Sequence, residues 1–93
     1  MQYDLKNYYR NNAFHGVIGT KMEGDLMFIV SAAYSNDFTI GMLRDIISLS
    51  KQHDICIVAD SPEYQESVAR SLSRWDCEYE YIEGVMFAYH TKD

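Results

Sequence analysis

The segment Ile55-Cys56-Ile57-Val58-Ala59-Asp60-Ser61-Pro62-Glu63 decides the fold, because a short apolar run passes directly into a helix start. The first part of the segment is continuously apolar and rich in β-branched side chains, which is typical of a central strand covered on both faces. Ser61 can supply the N-cap oxygen, Pro62 fits the first helical position, and Glu63 faces the positive end of the helix dipole. The segment therefore predicts a strand followed at once by a helix.

The residues before this segment predict a further strand and helix. Leu26–Tyr34 begins with apolar residues on both faces, as expected for a strand covered on both sides. From about Phe38 to Gln52 apolar residues recur at helical spacing, after the N-cap candidates Ser35-Asn36-Asp37. Strand, helix and strand make a β-α-β unit, whose strands should be parallel and whose crossover should be right-handed.

The residues after this segment predict the remainder of the sheet. Ser61–Trp75 carries an apolar stripe at helical spacing, Cys77–Ile82 alternates like a half-buried strand, and Val85–Tyr89 returns as the last strand. We expect Ile55–Ala59 to be the central strand, flanked by the strands Leu26–Tyr34 and Cys77–Ile82. Both helices should pack on this sheet.

The N-terminal third predicts a short helix and a hairpin. Apolar residues recur at helical spacing between Asp4 and about Asn12, and His15–Met22 and Leu26–Tyr34 indicate two strands joined by the turn Glu23-Gly24-Asp25. The predicted order is α-β-β-α-β-α-β-β in a single domain over residues 1–93. The fold class is α/β (α+β), with a mixed, mostly antiparallel sheet around a central parallel β-α-β unit.

The charge balance limits the classes of partner. The chain has 8 basic and 14 acidic residues and a net charge of −6, which argues against nucleic acid and anionic membranes as partners. No apolar run approaches the roughly 18–20 residues of a membrane helix, and the first residues lack the layout of a signal peptide. We expect a small acidic cytoplasmic protein whose partner is another protein or itself.

The distribution of chemistry-bearing residues predicts neither a catalytic nor a metal site. His15, His53 and His90 lie far apart and have no metal-ligand spacing. Cys56 and Cys77 form no CxxC pattern and are expected to stay reduced in the cytoplasm.

The element order from Gly24 to the C-terminus resembles the GNAT acetyltransferase fold trimmed to its acetyl-CoA half. Ile55–Asp60 resembles the central strand of that family, Ser61–Trp75 its last helix, and the stretch from Glu78 to Tyr89 its closing hairpin. In that family the helix after the first hairpin holds the CoA pyrophosphate, so the resemblance implies acetyl-CoA as cofactor and N-acetyl transfer as activity. Small phage-type acetyltransferases and inhibitor proteins have such trimmed versions, which would imply a viral origin and a virion-associated location.

The loop that the resemblance assigns to the cofactor departs from the family's pattern. It reads Asn36-Asp37-Phe38-Thr39-Ile40-Gly41, where the family has Arg/Gln-x-x-Gly-x-Gly/Ala, and only Gly41 fits. Thr39 stands where the family has glycine, and we expect Asp37 to lie within the first helical turn and to compete with an anion for the helix dipole. These loop residues are the cofactor contacts only if acetyl-CoA binds.

The family's proton donor is also missing from the matching position. The tyrosine of the last helix corresponds to Leu72, and the Leu-Gly-Phe ending corresponds to Trp75-Asp76-Cys77. The resemblance therefore implies the scaffold and leaves this chain without a predicted catalytic residue.

Surplus tyrosines favour an interface on the closing hairpin. Tyr79, Tyr81 and Tyr89 could form a strand-edge contact with a partner or a second copy, or they could cover the core face of the sheet. Glu78 and Glu80 share the other strand face, as a solvated surface or as a carboxylate pair for an acetyl-transfer base.

Two functions from different classes follow from these patterns. The first is a non-catalytic protein-interaction or assembly module on a GNAT-like scaffold, with no cofactor. The alternative is a minimal N-acetyltransferase that holds acetyl-CoA mostly through backbone groups.

Overall fold

A computed structural model of the chain describes residues 2–91. A short 3-10 turn at Tyr34–Asn36 precedes the first helix. The strands and helices are β1 Asp4–Arg10, β2 Ala13–Glu23, β3 Leu26–Ala33, α1 Ile40–Gln52, β4 Asp54–Ala59, α2 Pro62–Trp75, β5 Glu78–Ile82 and β6 Val85–His90. Neither α1 nor α2 is long and apolar enough to cross a membrane.

The strands form one six-stranded mixed sheet in the order β1-β2-β3-β4-β6-β5. β3 and β4 are parallel, and the other neighbouring strands are antiparallel. The predicted fold class and the central β-α-β unit are confirmed. The predicted neighbour of β4 was wrong, since β6 pairs with β4 and β5 forms the edge of the sheet. The closing hairpin folds back so that its apolar second strand occupies the interior position.

The predicted N-terminal helix was also wrong, since Asp4–Arg10 is a strand paired with β2. Asn11 and Asn12 have φ values of 52° and 64° and form a two-residue turn between β1 and β2. A hairpin turn of this kind needs left-handed backbone at both central positions, and asparagine tolerates that conformation. The element order is therefore β-β-β-α-β-α-β-β.

The helix starts follow their capping residues. Ser61 accepts a hydrogen bond from the Tyr64 amide at 3.2 Å, and α2 begins at Pro62 as predicted. α1 begins at Ile40, two residues later than predicted, because Thr39 is its N-cap and accepts from the Met42 amide at 3.1 Å. The N-cap predicted within residues 35–37 was wrong.

Both helices pack on the same face of the sheet. β3, β4 and β5 run parallel to one another and follow each other in one direction across the sheet, so two right-handed crossovers place α1 and α2 on one side. The core lies between the sheet and these helices and includes Tyr8, Ile18, Met27, Ile29, Met42, Ile46, Ile55, Ile57, Ala59, Tyr64, Val68, Trp75, Met86 and Ala88. We call this side of the sheet the helix face and the opposite side the open face.

Candidate functional site

The two central parallel strands separate at their carboxyl ends. β3 and β4 pair only from Leu26 opposite Asp54 to Ile29 opposite Ile57. Beyond that point β3 stays with β2 as far as Ala33, while β4 stays with β6. We call the opening between Val30–Ala33 and the end of β4 the wedge. Ligands of α/β proteins bind outside the carboxyl ends of parallel strands, so the wedge is the candidate site that topology selects.

A tyrosine of α2 spans the wedge on the helix face. The Tyr64 hydroxyl lies 2.5 Å from the Ser31 Oγ on β3, and Tyr64 is only 5% exposed. The ring of Phe38 packs edge-on against that of Tyr64, with centroids 5.5 Å apart. Burial raises the pKa of Tyr64 to about 12, so the phenol stays protonated at neutral pH. This side of the wedge is therefore occupied by the chain's own side chains.

The loop before α1 is tied to the first hairpin. The Arg10 guanidinium donates to the Asp37 carboxylate at 2.6 Å, and this hydrogen bond holds the pKa of that carboxyl below its usual range. The His15 Nε2 contacts the main-chain oxygen of Asp37. The predicted place of Asp37 in the first helical turn was wrong, since it lies two residues before the N-cap Thr39. Its carboxylate serves to anchor the loop.

Thr39 caps the helix with its side chain and has an unstrained backbone. Its φ of −71° is extended backbone, so the position does not need glycine. The Thr39 hydroxyl oxygen accepts a hydrogen bond from the Met42 amide. This amide is one of the N–H groups that an anion at this helix end would use. A Cβ on Gly41 would meet the Thr39 Oγ1 at 3.7 Å, an ordinary contact, so this glycine is not required by crowding.

The remaining loop residues do not converge on one point. Ile40 is 75% exposed at the start of α1, and the Phe38 ring turns inward against Tyr64. Asn36 ends the 3-10 turn, and its side chain lies outside the described part of the structure. An acetyl-CoA arm running from this helix end into the wedge would have to displace Phe38 and Tyr64. Phe38 and Tyr64 therefore fill the space on the helix face of the wedge, next to this helix end.

The three predicted interface tyrosines lie on two faces. Tyr79 and Tyr81 are 50% and 56% exposed on the helix face, with their rings edge-to-face at a centroid distance of 5.7 Å. Tyr89 is on the open face, where its hydroxyl donates to the Glu80 carboxylate at 2.7 Å. All residues of β5 are exposed, so the prediction of a half-buried strand was wrong. The reason is its edge position, next to β6 only.

A cleft that the sequence did not predict lies between β1, β2 and α1. It has a volume of about 290 Å³, and Asp45 is one of the residues that line it. Lys6 Nζ donates to Asp45 at 2.8 Å and the Tyr8 hydroxyl donates to it at 2.5 Å. Burial and the Asp45 carboxylate both raise the pKa of Tyr8. Asp45 on α1 accepts hydrogen bonds from two residues of β1, so these contacts hold β1 against α1.

Cys56 is buried and Cys77 is partly buried, and both are free thiols. Burial, with a smaller effect of Asp76, raises the pKa of the Cys77 thiol to about 11, and burial also raises that of Cys56. Over residues 2–91, no three His, Cys, Asp or Glu side chains come together as metal ligands would.

The sequence analysis did not identify the pair Tyr64 and Ser31. The available signals were a serine in the apolar second half of β3 and a tyrosine in the first turn of the helix after β4. Their meeting depends on where β3 and β4 separate, which is a property of strand register.

Comparison with known proteins supports the scaffold. No protein-family model matches the chain, and no curated protein matches its sequence. Among solved structures, the chain is similar to Arabidopsis thaliana Naa50, a GNAT acetyltransferase, in complex with the bisubstrate analogue CoA-Ac-MVNAL. The TM-score is 0.57 at 15% sequence identity, over 91% of this chain and 70% of that chain. The likeness supports a GNAT-like fold and gives no support to a phage-type protein.

Proposed function

We propose that this chain is a non-catalytic protein-interaction or assembly domain on a GNAT-like scaffold. The observation that carries the proposal is the Tyr64 side chain, which spans the wedge and hydrogen-bonds to Ser31 at 2.5 Å. A ligand bound at the carboxyl ends of these two parallel strands would need that space. A side chain that is buried, hydrogen-bonded and packed against Phe38 is costly to displace.

The proposed binding surface is the outer edge of the sheet at β5. Tyr79, Tyr81 and Ile82 are half exposed there, and no other strand in residues 2–91 pairs with that edge. An exposed edge offers main-chain hydrogen bonds to an added strand, and tyrosines combine contact area with a hydroxyl. A partner that adds a strand beside β5 would use both features.

A tagged copy of the chain recovered from its native source tests this proposal. The wild type should recover a defined partner, and Tyr81→Phe should recover it nearly as well because the contact area of the ring is kept and only the hydroxyl is lost. Tyr81→Glu should lose the partner while keeping the wild-type melting temperature, since Tyr81 is exposed. Equal recovery by Tyr81→Glu would contradict the edge as the binding surface.

The alternative proposal is a minimal N-acetyltransferase, and it rests on the likeness to Naa50 and on the separated strands. Its test is release of CoA from acetyl-CoA in the presence of the peptide MVNAL. Acetylation of the peptide by the wild type at a rate above the uncatalysed one would favour the enzyme over the binding domain. A signal that persists in Tyr64→Trp, which would fill the wedge further, would instead indicate a contaminating activity.

A further inference from the structure

A groove runs along the outer side of α1, next to the C-terminal half of α2. Its volume is about 440 Å³. The residues of α1 that line it recur every three or four positions, so they form one stripe along the helix. They include Ile40, Leu43, Arg44, Ile47 and Lys51, and Arg74 of α2 lies on the opposite side. We call this feature the helix groove.

The α1 side of the helix groove is apolar along its middle and accessible. Ile40 is 75% exposed at the start of α1. Leu43 and Ile47 follow one and two turns further along and are half-buried. Positions i, i+3 and i+7 of a helix share one face, and such a row is what an apolar stripe of a partner helix contacts. The helix groove therefore offers an apolar strip about two turns long.

The charged groups that line the helix groove are all cations. Arg44 and Lys51 belong to α1 and Arg74 to α2, and no carboxylate is among the lining residues. Within residues 2–91, none of these three cations forms an ion pair. Lys51 and Arg74 lie in the last turns of their helices, where the helix dipole offsets part of their charge. In a chain with 14 acidic and 8 basic residues, the groove is still a local reversal of the net charge.

The carboxylates next to these cations in sequence are used elsewhere. Asp45 accepts hydrogen bonds from Lys6 and Tyr8 in the cleft on the other side of α1. Asp76, which ends α2, lines a separate hollow beside β5 and β6. The positive charge of the helix groove is therefore not cancelled by the residues that adjoin its cations.

A second hollow continues the helix groove toward the loop before α1 and differs from it in charge. Its volume is about 270 Å³, and it shares Leu43 and Arg74 with the groove. It adds one cation, Arg70, and one carboxylate, Asp37. Arg70 also lies 3.9 Å from Glu66. Charge is balanced in this hollow, so the excess of positive charge is confined to the part of the groove along α1.

We propose that the helix groove binds an acidic amphipathic helix of another protein. Apolar side chains of that helix pack on Ile40, Leu43 and Ile47, and its glutamates or aspartates meet the three cations. The lining stripe extends over eleven residues of α1, about 17 Å or three turns, which matches a helix laid lengthwise on the groove. The surface is separate from the β5 edge, so this inference goes beyond the proposed function.

A protein helix fits this surface better than a nucleic acid does. Phosphates would pair with the cations but would leave the apolar strip uncovered. The net charge of −6 also opposes a polyanion that extends beyond the groove. An acidic helix satisfies both the strip and the cations over a short contact.

Titration with a labelled model peptide tests the proposal. The probe is a blocked peptide of about four helical turns, with leucine at every third or fourth position and glutamate on both flanks. Fluorescence anisotropy should give a micromolar dissociation constant, and the same peptide with glutamine for glutamate should bind about tenfold more weakly. No binding of the glutamate peptide below millimolar, or equal binding of the glutamine peptide, would overturn the proposal. Equally tight binding of a single-stranded oligonucleotide of the same charge would also overturn it.

Substitutions in the chain locate the binding surface. Arg44→Gln and Lys51→Gln should each weaken peptide binding about threefold to fivefold, and Ile40→Ser, at an exposed position, about tenfold. Lys21→Gln makes the same charge change on the open face and should leave binding unchanged. Tyr81→Glu should also leave it unchanged, which separates this inference from the proposed β5 edge. Unchanged binding in all three groove variants, or loss of binding in Tyr81→Glu, would overturn the proposal. The melting temperature of each variant separates loss of folding from loss of binding.

Discussion

The Tyr64 hydroxyl meets the Ser31 Oγ at 2.5 Å across the gap where β3 and β4 separate. The two residues are 33 positions apart, and their contact joins the first turn of α2 to the far end of β3. Without this contact, the separation of β3 and β4 would leave unpaired main-chain groups beside an unfilled apolar space. The contact between these side chains fills that space from within.

Removing either hydroxyl should destabilise the domain. Tyr64→Phe leaves the Ser31 hydroxyl without this partner and should cost about 1–2 kcal/mol of unfolding free energy, and Ser31→Ala should cost about 1 kcal/mol. The double variant should lose little more than either single one, a coupling of about 1 kcal/mol. Urea denaturation measures these changes. Tyr81→Phe, at an exposed position, is the control and should be nearly neutral. Strictly additive losses would contradict the hydrogen bond.

Replacement of Asp76 by glycine should stabilise the folded domain. It ends α2 in the left-handed conformation, with φ 54° and ψ 41°, and its amide donates to the Leu72 carbonyl. An L-residue pays about 1 kcal/mol in this conformation and glycine does not, so Asp76→Gly should stabilise the domain by up to about 1 kcal/mol. Thermal denaturation should show a melting temperature higher by about 5 °C. Asp76→Ala is the matched control and should not stabilise. A glycine variant no more stable than the alanine variant would contradict this backbone conformation.

The hydrogen bonds from Lys6 and Tyr8 to Asp45 should make the free energy of unfolding depend on pH in the acidic range. Hydrogen bonds from Lys6 and Tyr8 lower the pKa of Asp45 in the folded protein. A lowered folded pKa means that the stabilisation is present above the unfolded pKa of about 3.9 and is lost as pH falls through the folded value. The side chain of Asp45 is 35% exposed, so the contribution is about 1 kcal/mol or less.

Comparison of Asp45→Asn with the wild type over pH measures that contribution. The wild type should be more stable at pH 7, and the difference in unfolding free energy should shrink as the pH falls from about 5 to about 2. Asp25→Asn, in the exposed turn after β2, is the control and should give a smaller change. A constant difference between wild type and Asp45→Asn across this range would contradict the assigned hydrogen bonds.

The parts of the fold predicted correctly are those set by neighbouring residues. The apolar run at Ile55–Ala59 and the cap at Ser61 and Pro62 specify a buried strand and a helix start within a few residues. The N-terminal strand was missed because its apolar residues also fit helical spacing. The left-handed turn at Asn11-Asn12 excludes a continuous helix there, and this turn depends on the pairing of β1 with β2.

The arrangement of the closing hairpin and the wedge depend on distant residues. A hairpin can insert either of its strands beside β4, although the apolar Met86 and Ala88 favour β6 for the interior and the glutamates favour β5 for the edge. The wedge appears only when the registers of β2, β3, β4 and β6 are known together. Residues such as Ser31 and Tyr64 therefore could not be paired from sequence spacing.

Titration calorimetry with acetyl-CoA tests most directly whether this GNAT-like scaffold has lost its cofactor site. Tyr64 and Phe38 fill the wedge on the helix face. Thr39 accepts a hydrogen bond from the Met42 amide at the start of α1. Losing one charge-assisted hydrogen bond, at about 1.5–3 kcal/mol, would weaken a micromolar site by about one to two orders of magnitude, and displacing Tyr64 and Phe38 would weaken it further. We predict no binding of acetyl-CoA tighter than about millimolar for the wild type. A dissociation constant in the low micromolar range would contradict it and would favour the acetyltransferase.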